Sequence, residues 1–218
     1  MLKSLYPQID WDTIRIVGYD MDGTLYDEAE FIYQVYRHIA GLITSNDATK
    51  CGPLHDWMFR RWLEKGSSYQ NIFREAVERS ETFPMEISTV ITRCLKIFRN
   101  HKPTISLTPR AKAILDLMYM RYPLFLVSDG TARLQQTKFD ALGLSCWFEK
   151  HNVALTGYYG PEYCKPKLRI LKKIKILNYK YQPHQVVYFG DRQIDEEFAN
   201  NAGFQFLRVS ALHPVQSS

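Results

Sequence analysis

At 218 residues the chain is long enough for one sizeable α/β core, or for a core carrying a smaller insertion, and too short for two large domains. Apolar residues at 45% and charged residues at 23% exclude a disordered or fibrous chain. The 28 Lys and Arg against 23 Asp and Glu leave a formal charge of +5, spread along the chain and not gathered into an arm, which argues against nucleic acid as a partner and fits an anionic small substrate.

The chain opens Met1-Leu2-Lys3-Ser4-Leu5-Tyr6-Pro7, without an apolar run of secretory length, and no segment reaches the roughly 18 uninterrupted apolar residues of a membrane span. Cys51, Cys94, Cys146 and Cys164 lie far apart with no CxxC pair, so free thiols in a reducing cytoplasm are expected, not a zinc site or a disulfide framework. The protein is therefore expected to be soluble and cytoplasmic. Its oligomeric state is not readable.

Residues 14–19 are apolar, β-branched and short, and end in an acidic loop with a glycine, which predicts a buried strand of a parallel sheet with Asp20 at its carboxyl end. Amphipathic helical stretches follow at 31–43, 54–65, 69–79 and 87–99 with no strand between them. Thr108-Pro109 reads as an N-cap with proline at the first helical position, starting a helix that runs to about residue 121. A second buried strand at 124–127 ends at Ser128-Asp129-Gly130; a helix at 132–142 stops at Gly143, and a weaker strand lies within 152–156. A helix at 167–177, a third clear strand at 186–189 ending at Gly190-Asp191, and a last strand at 204–209 complete the pattern, with Gln216-Ser217-Ser218 as a loose tail.

Strands alternating with helices imply βαβ units and an α/β fold, a Rossmann-like doubly wound parallel sheet. The expected organisation is a discontinuous core over 8–27 and 102–212 with an inserted all-helical domain over 28–101. Ligands bind such sheets at the carboxyl ends of the strands, and three strands end at Asp20, Ser128 and Asp191, so these distant residues should meet at one mouth.

Asp20 and Asp22 are one residue apart in a loop that Gly23 lets turn sharply, so both carboxylates can face one small volume. Acids that close are costly unless a cation or a task keeps them there. Asp191 and Asp195, in Gly190-Asp191-Arg192-Gln193-Ile194-Asp195, supply a second acidic pair. Oxygen-rich sites of this kind suit Mg2+, and a carboxylate can also attack phosphorus to give an aspartyl-phosphate. Ser128, with backbone N–H groups at the start of the following helix, offers phosphate contacts, and Lys165 a point positive charge. Together these are the parts that phosphoryl transfer requires.

Asp20-Met21-Asp22-Gly23-Thr24-Leu25, Ser128-Asp129-Gly130, Lys165-Pro166 and Gly190-Asp191 with Asp195 resemble the four ordered motifs of the haloacid dehalogenase-like (HAD) hydrolase superfamily. The resemblance covers about residues 14–209; Gln135, Lys138 and Leu142-Gly143-Leu144 are similar to the family's segment after its second motif. The helical insertion lies where the family places its C1-type cap. The resemblance implies a phosphatase in which Asp20 is the nucleophile and Asp22 the general acid and then the base. Ser128, Asp129 and Lys165 would be the phosphate-binding residues, and Ser128 and Lys165 would clamp the phosphate during the reaction. Asp191 and Asp195, with the Asp20 carboxylate and the Asp22 carbonyl oxygen, would hold Mg2+. Asp129 stands where asparagine is common, and the short spacing of the last motif lets Glu196 compete with Asp195 as the ligand.

Other features have ordinary readings. Lys167, Arg169, Lys172, Lys173 and Lys175 form the solvated face of a helix whose Leu168, Leu171, Ile174 and Leu177 point inward. Trp57, Phe59 and Trp62 read as core of the helical insertion, Arg60, Arg61 and Lys65 as surface charges, and the six histidines form no ligand pattern. The function expected is a Mg2+-dependent phosphomonoester hydrolase acting on a small phosphorylated metabolite. Asp22 argues against a dehalogenase, because a leaving alkoxide needs a proton and a halide does not. A phosphosugar mutase of the same fold, or a non-catalytic binding protein that has kept the fold, are the alternatives.

Overall fold

The computed structural model describes residues 2–80, 86–178, 181–211 and 213–214. The proposed tail at 216–218 lies outside them. The chain divides into two compact units, one made of Met1–Glu28 with Thr104–Ser218 and the other of Ala29–Pro103. Among the described residues, no helix is long and apolar enough to cross a membrane, and all four cysteines are free thiols.

The first unit is built on a sheet in the order β3-β2-β1-β4-β5-β6. Its strands are β1 (Ile16–Tyr19), β2 (Leu124–Ser128), β3 (Val153–Leu155), β4 (Val186–Gly190), β5 (Gln205–Ser210) and the short β6 (His213–Pro214). The first five run parallel, and β6 pairs antiparallel at the edge. β1, β2 and β4 are buried at every position. Their run of Val, Ile, Leu and Phe is what a strand covered on both faces needs. The register Val17↔Leu124 on one side and Val17↔Val187 on the other brings the carboxyl ends of the three strands together. The chain winds outward from β1 to β2 and β3, then crosses to β4 and β5. This doubly wound, Rossmann-like order places the switch point between β1 and β4, where such sheets bind ligands.

Helices α6 (Pro109–Tyr119), α7 (Ala132–Ala141) and α8 (Gln193–Ala202) connect the strands. Thr108 caps α6 as expected, its hydroxyl accepting from the Ala111 N–H at 3.1 Å. Gly143, at φ 63°, follows α7 in the left-handed conformation of a helix stop. α8, and a short α1 (Leu2–Leu5) at the start, were not foreseen from the sequence.

Residues 167–177 do not form the expected α-helix. They form 3₁₀ turns at Leu168–Lys173 and Lys175–Asn178, broken at Ile174, which is extended. The Ile176 N–H donates to the Asn152 side chain at 3.0 Å, a bond that draws this backbone away from α-helical pairing. Ile170, Ile174 and Leu177 reach the core beside Phe125, Tyr188 and Phe198, whereas Leu168 is exposed. Of the expected stripe only Ile174 and Leu177 are fully inside, and Ile170, which did not belong to it, takes a core place, because the two 3₁₀ segments are interrupted at the extended Ile174 and do not present one continuous face.

The second unit contains α2 (Glu28–Ile43, whose first residue belongs to the first unit), α3 (Ala48–Lys65), α4 (Ile72–Arg79) and α5 (Ile87–Asn100). α3 begins well before the expected residue 54, because Asp47 caps it by accepting from Thr49 N at 2.9 Å, and Pro53 is carried inside the helix. Phe31, Val35, Ile39, Met58, Phe73, Ala76, Val90 and Cys94 are buried. Trp57, Phe59 and Trp62 are half-buried, not deep core: Phe59 stacks on Trp62, and Arg79 lies over the Trp57 ring. Arg61 is engaged by Glu75 through two bonds of 2.8 and 3.0 Å, and Lys65 lies over the Tyr69 ring.

Candidate active site

Asp20 follows the last residue of β1, and its N–H donates to the Phe189 carbonyl of β4 at 2.9 Å, which ties the turn to the switch point. The backbone reverses through Gly23 at φ 73°. A side chain there would meet Asp191 Oδ2 at 2.3 Å, so only glycine allows both the turn and the approach of the β4 loop. Gly190 is constrained in the same way, since a Cβ would lie 2.3 Å from that of Asp195.

On one side of this turn Asp20, Asp191 and Asp195 each offer an oxygen, all within 4.8 Å of one another. Asp20 and Asp195 are buried. Lys165, itself buried, bridges them, its Nζ donating at 2.5 Å to Asp20 Oδ1 and at 2.5 Å to Asp195 Oδ1. Asp195 also accepts from the Arg192 N–H at 3.1 Å as it opens α8. Asp191 Oδ1 is buried without a hydrogen-bond partner, the Arg192 Nε lying 3.8 Å from it. Burial pushes the Asp20 carboxyl well above the ordinary carboxylate range despite Lys165 beside it, and pushes Asp191 up to about 7. For Lys165 burial alone would favour the neutral amine, and the surrounding carboxylates reverse that and hold the ammonium. Three crowded acids, one with a buried oxygen that accepts no hydrogen bond, form a hard-oxygen donor set that fits a divalent cation such as Mg2+. Glu196 is not part of it: its carboxylate turns to Arg208 at 2.7 Å.

On the other side Asp22 is held by three donors. Its Oδ1 accepts from the Tyr26 hydroxyl at 2.5 Å and from Lys138 Nζ at 2.6 Å, and its Oδ2 from Gln135 Nε2 at 2.6 Å. All three bonds are buried. Burial works against the Asp22 charge, but Lys138 first, then Tyr26 and Gln135, outweigh it and hold the carboxyl below its ordinary range.

Ser128 ends β2 fully buried with its Oγ 2.8 Å from Gln135 Nε2, whose two hydrogens are shared among Asp22, Ser128 and the Asp129 carbonyl, and the hydroxyl proton of Ser128 stays available to another acceptor. Asp129 turns its carboxylate toward the Lys165 backbone. Both its oxygens accept from the Lys165 backbone N–H, at 3.3 and 3.2 Å, and its carbonyl accepts from Gln135 at 2.6 Å. A carboxylate at this position thus fastens the segment that carries Lys165.

The structure therefore brings Asp20, Asp22, Ser128, Asp129, Lys165, Asp191 and Asp195 to one sheet end. Sequence reasoning gave no role to Tyr26, Gln135 or Lys138. A signal was present: Gln135 and Lys138 are three apart and so share one helix face, the face that also buries Leu134 and Phe139. Tyr26, four residues beyond Asp22 in an irregular loop, carried no such signal.

The haloacid dehalogenase-like hydrolase family matches residues 17–209. A candidate β-phosphoglucomutase from Thermotoga maritima superposes with a TM-score of 0.65 at 21% identity, covering 94% of this chain and 88% of its own. A HAD-superfamily hydrolase of subfamily IA, variant 1, from Geobacter sulfurreducens PCA gives 0.64 at 20%, covering 90% and 87%. The candidate HAD-hydrolase YfnB from Bacillus subtilis, determined bound to magnesium, gives 0.59 at 14%, covering 89% and 86%. Among curated proteins none matches. At these identities the structural likeness concerns the fold, but the family match spans nearly the whole chain, and this chain belongs to the haloacid dehalogenase-like hydrolases.

Proposed function

We propose that this hydrolase is a Mg2+-dependent phosphomonoesterase working through an aspartyl-phosphate on Asp20. The observation that carries the reading is the division of labour between two carboxylates two residues apart. Asp20 lies among Asp191, Asp195 and Lys165, and Asp22 stands in a separate set of hydrogen-bond donors.

In this reading an Asp20 oxygen attacks phosphorus as the ester P–O bond breaks, and Asp22 gives the departing alkoxide a proton. The arriving phosphate dianion favours protonation of Asp22 by placing like charge beside it. Asp22, then a carboxylate again, takes a proton from water as the water oxygen bonds phosphorus and the Asp20–P bond breaks. Lys165, in contact with Asp20, and the Ser128 hydroxyl hold phosphoryl oxygens, and Asp129 fixes Lys165 through its backbone. Asp20, Asp191, Asp195 and the Asp22 carbonyl would hold Mg2+, which when bound neutralises charge on the phosphoryl group and keeps Asp20 ionised. The core over 8–27 and 102–212 with a helical cap over 28–101, and a small phosphorylated metabolite as substrate, belong to the same proposal.

The test is turnover of p-nitrophenyl phosphate with Mg2+. Activity should be lost on EDTA treatment, return with added Mg2+, and fall about a thousandfold or more in Asp20→Asn. Turnover indifferent to the chelator, or undiminished in Asp20→Asn, refutes the proposal.

A further inference from the structure

We propose that Lys138, with Tyr26 and Gln135, is a positioning residue that fixes the direction in which Asp22 faces the leaving-group oxygen. This rests on the reading of Asp22 as the group that protonates the leaving oxygen, and goes beyond it by assigning what aims that carboxylate.

An aspartate side chain has two rotatable bonds and, left alone, samples several directions. Here both carboxylate oxygens are fixed, Oδ1 by two donors and Oδ2 by one. The donors come from two different parts of the chain. Tyr26 belongs to the loop that carries Asp22 itself, whereas Gln135 and Lys138 lie on one face of α7 more than a hundred residues away in sequence. Gln135 also reaches Ser128 Oγ and the Asp129 carbonyl. The same amide therefore links Asp22 to the strand end that carries the phosphate contact, and sets the distance between the proton site and the phosphoryl site.

Stability alone does not call for this arrangement. Lys138 is only 3% exposed. Burying an ion pair at such a depth is commonly no better for folding than filling the space with apolar side chains. Leu134 and Phe139 beside it show that α7 packs with apolar residues where packing is all that is needed. What an ammonium adds here is direction, and misplacing a reacting group by about 1 Å can cost on the order of a hundredfold in rate.

The experiment compares kcat/KM for a simple alkyl phosphate and for p-nitrophenyl phosphate, in the full-length protein with saturating Mg2+. This quantity reports the step through departure of the leaving group. p-Nitrophenolate departs with little need of a proton, whereas an alkoxide requires one. Lys138→Met should lower the alkyl-to-aryl ratio by about tenfold or more, and Tyr26→Phe, which keeps the ring, should lower it in the same direction by less. Damage that was merely structural would lower both substrates alike and leave the ratio unchanged, and that result in Lys138→Met overturns the proposal. If Lys138→Met does not fold, an unchanged ratio in Tyr26→Phe overturns it instead. Asp22→Asn serves as the reference. A ratio that collapses there but not in the Lys138 and Tyr26 variants removes the positioning role alone. A ratio unmoved in Asp22→Asn removes the reading of Asp22, and this proposal with it.

Discussion

Asp20 and Asp22 are the same residue type, two positions apart and both buried, yet the fold treats them in opposite ways. Asp20 is set among two further acids with a lysine between them, and burial drives its carboxyl upward. Asp22 is surrounded by donors from α7 and its own loop, and its carboxyl is held down. The difference teaches that charge at a site is decided by what the neighbouring strands and helices deliver. The acidic side sets three carboxylates against Lys165 and Arg192 and is left short of positive charge, which suits the proposed cation. The donor-rich side is satisfied by the protein itself.

The largest expected effect breaks the acidic side. Lys165→Met removes the buried ammonium that bridges Asp20 and Asp195, leaving their carboxylates uncompensated. The metal-free protein should lose about 3–5 kcal/mol in urea unfolding, and added Mg2+ should recover part of the loss. A loss below about 1 kcal/mol would mean that the acids there are not under electrostatic load.

A smaller effect separates neighbouring acids on α8. Asp195→Asn should weaken Mg2+ binding by at least about tenfold, read by calorimetric titration, whereas Glu196→Gln, which alters only the contact with Arg208, should change it little. Equal weakening in both would return Glu196 to the ligand set.

A last prediction sharpens the contrast by its pH dependence. In chelator-treated protein Asp191 keeps its proton in the folded state up to about 7, but in the unfolded state only to about 3.8. Between these values the folded state binds more protons than the unfolded one. Asp191 therefore makes stability fall as pH rises through this window, by at most about 1.4 kcal/mol per pH unit. Asp22, whose carboxyl is held low, acts in the opposite sense: its contribution is complete above the ordinary carboxylate value and is lost as pH falls. From about pH 4 to 7 the Tm of Asp191→Asn should fall less, or rise more, with pH than that of the wild type. Curves that superpose would show that Asp191 is not burdened by its burial.

Much of this was legible in the chain. Each central strand is a short apolar run that ends in a polar residue, and because a parallel sheet aligns its carboxyl ends, Asp20, Ser128 and Asp191 had to meet. Spacing could not choose between Asp195 and Glu196. They are adjacent on a helix, and it is Lys165 on one side and Arg208 on the other that leave Asp195, not Glu196, beside Asp20 and Asp191. Nor could composition show that residues 167–177 would wind as 3₁₀ turns, since the competing bond comes from the distant Asn152 side chain.

By itself the sequence determined the alternation of strands and helices and the acids at the strand ends, because local periodicity and turn chemistry dictate both. Only the tertiary structure decided what each acid experiences. The ammonium groups of Lys138 and Lys165 arrive from segments more than a hundred residues from Asp22 and Asp20. In a buried site such contacts decide how a carboxylate is charged and which way it faces.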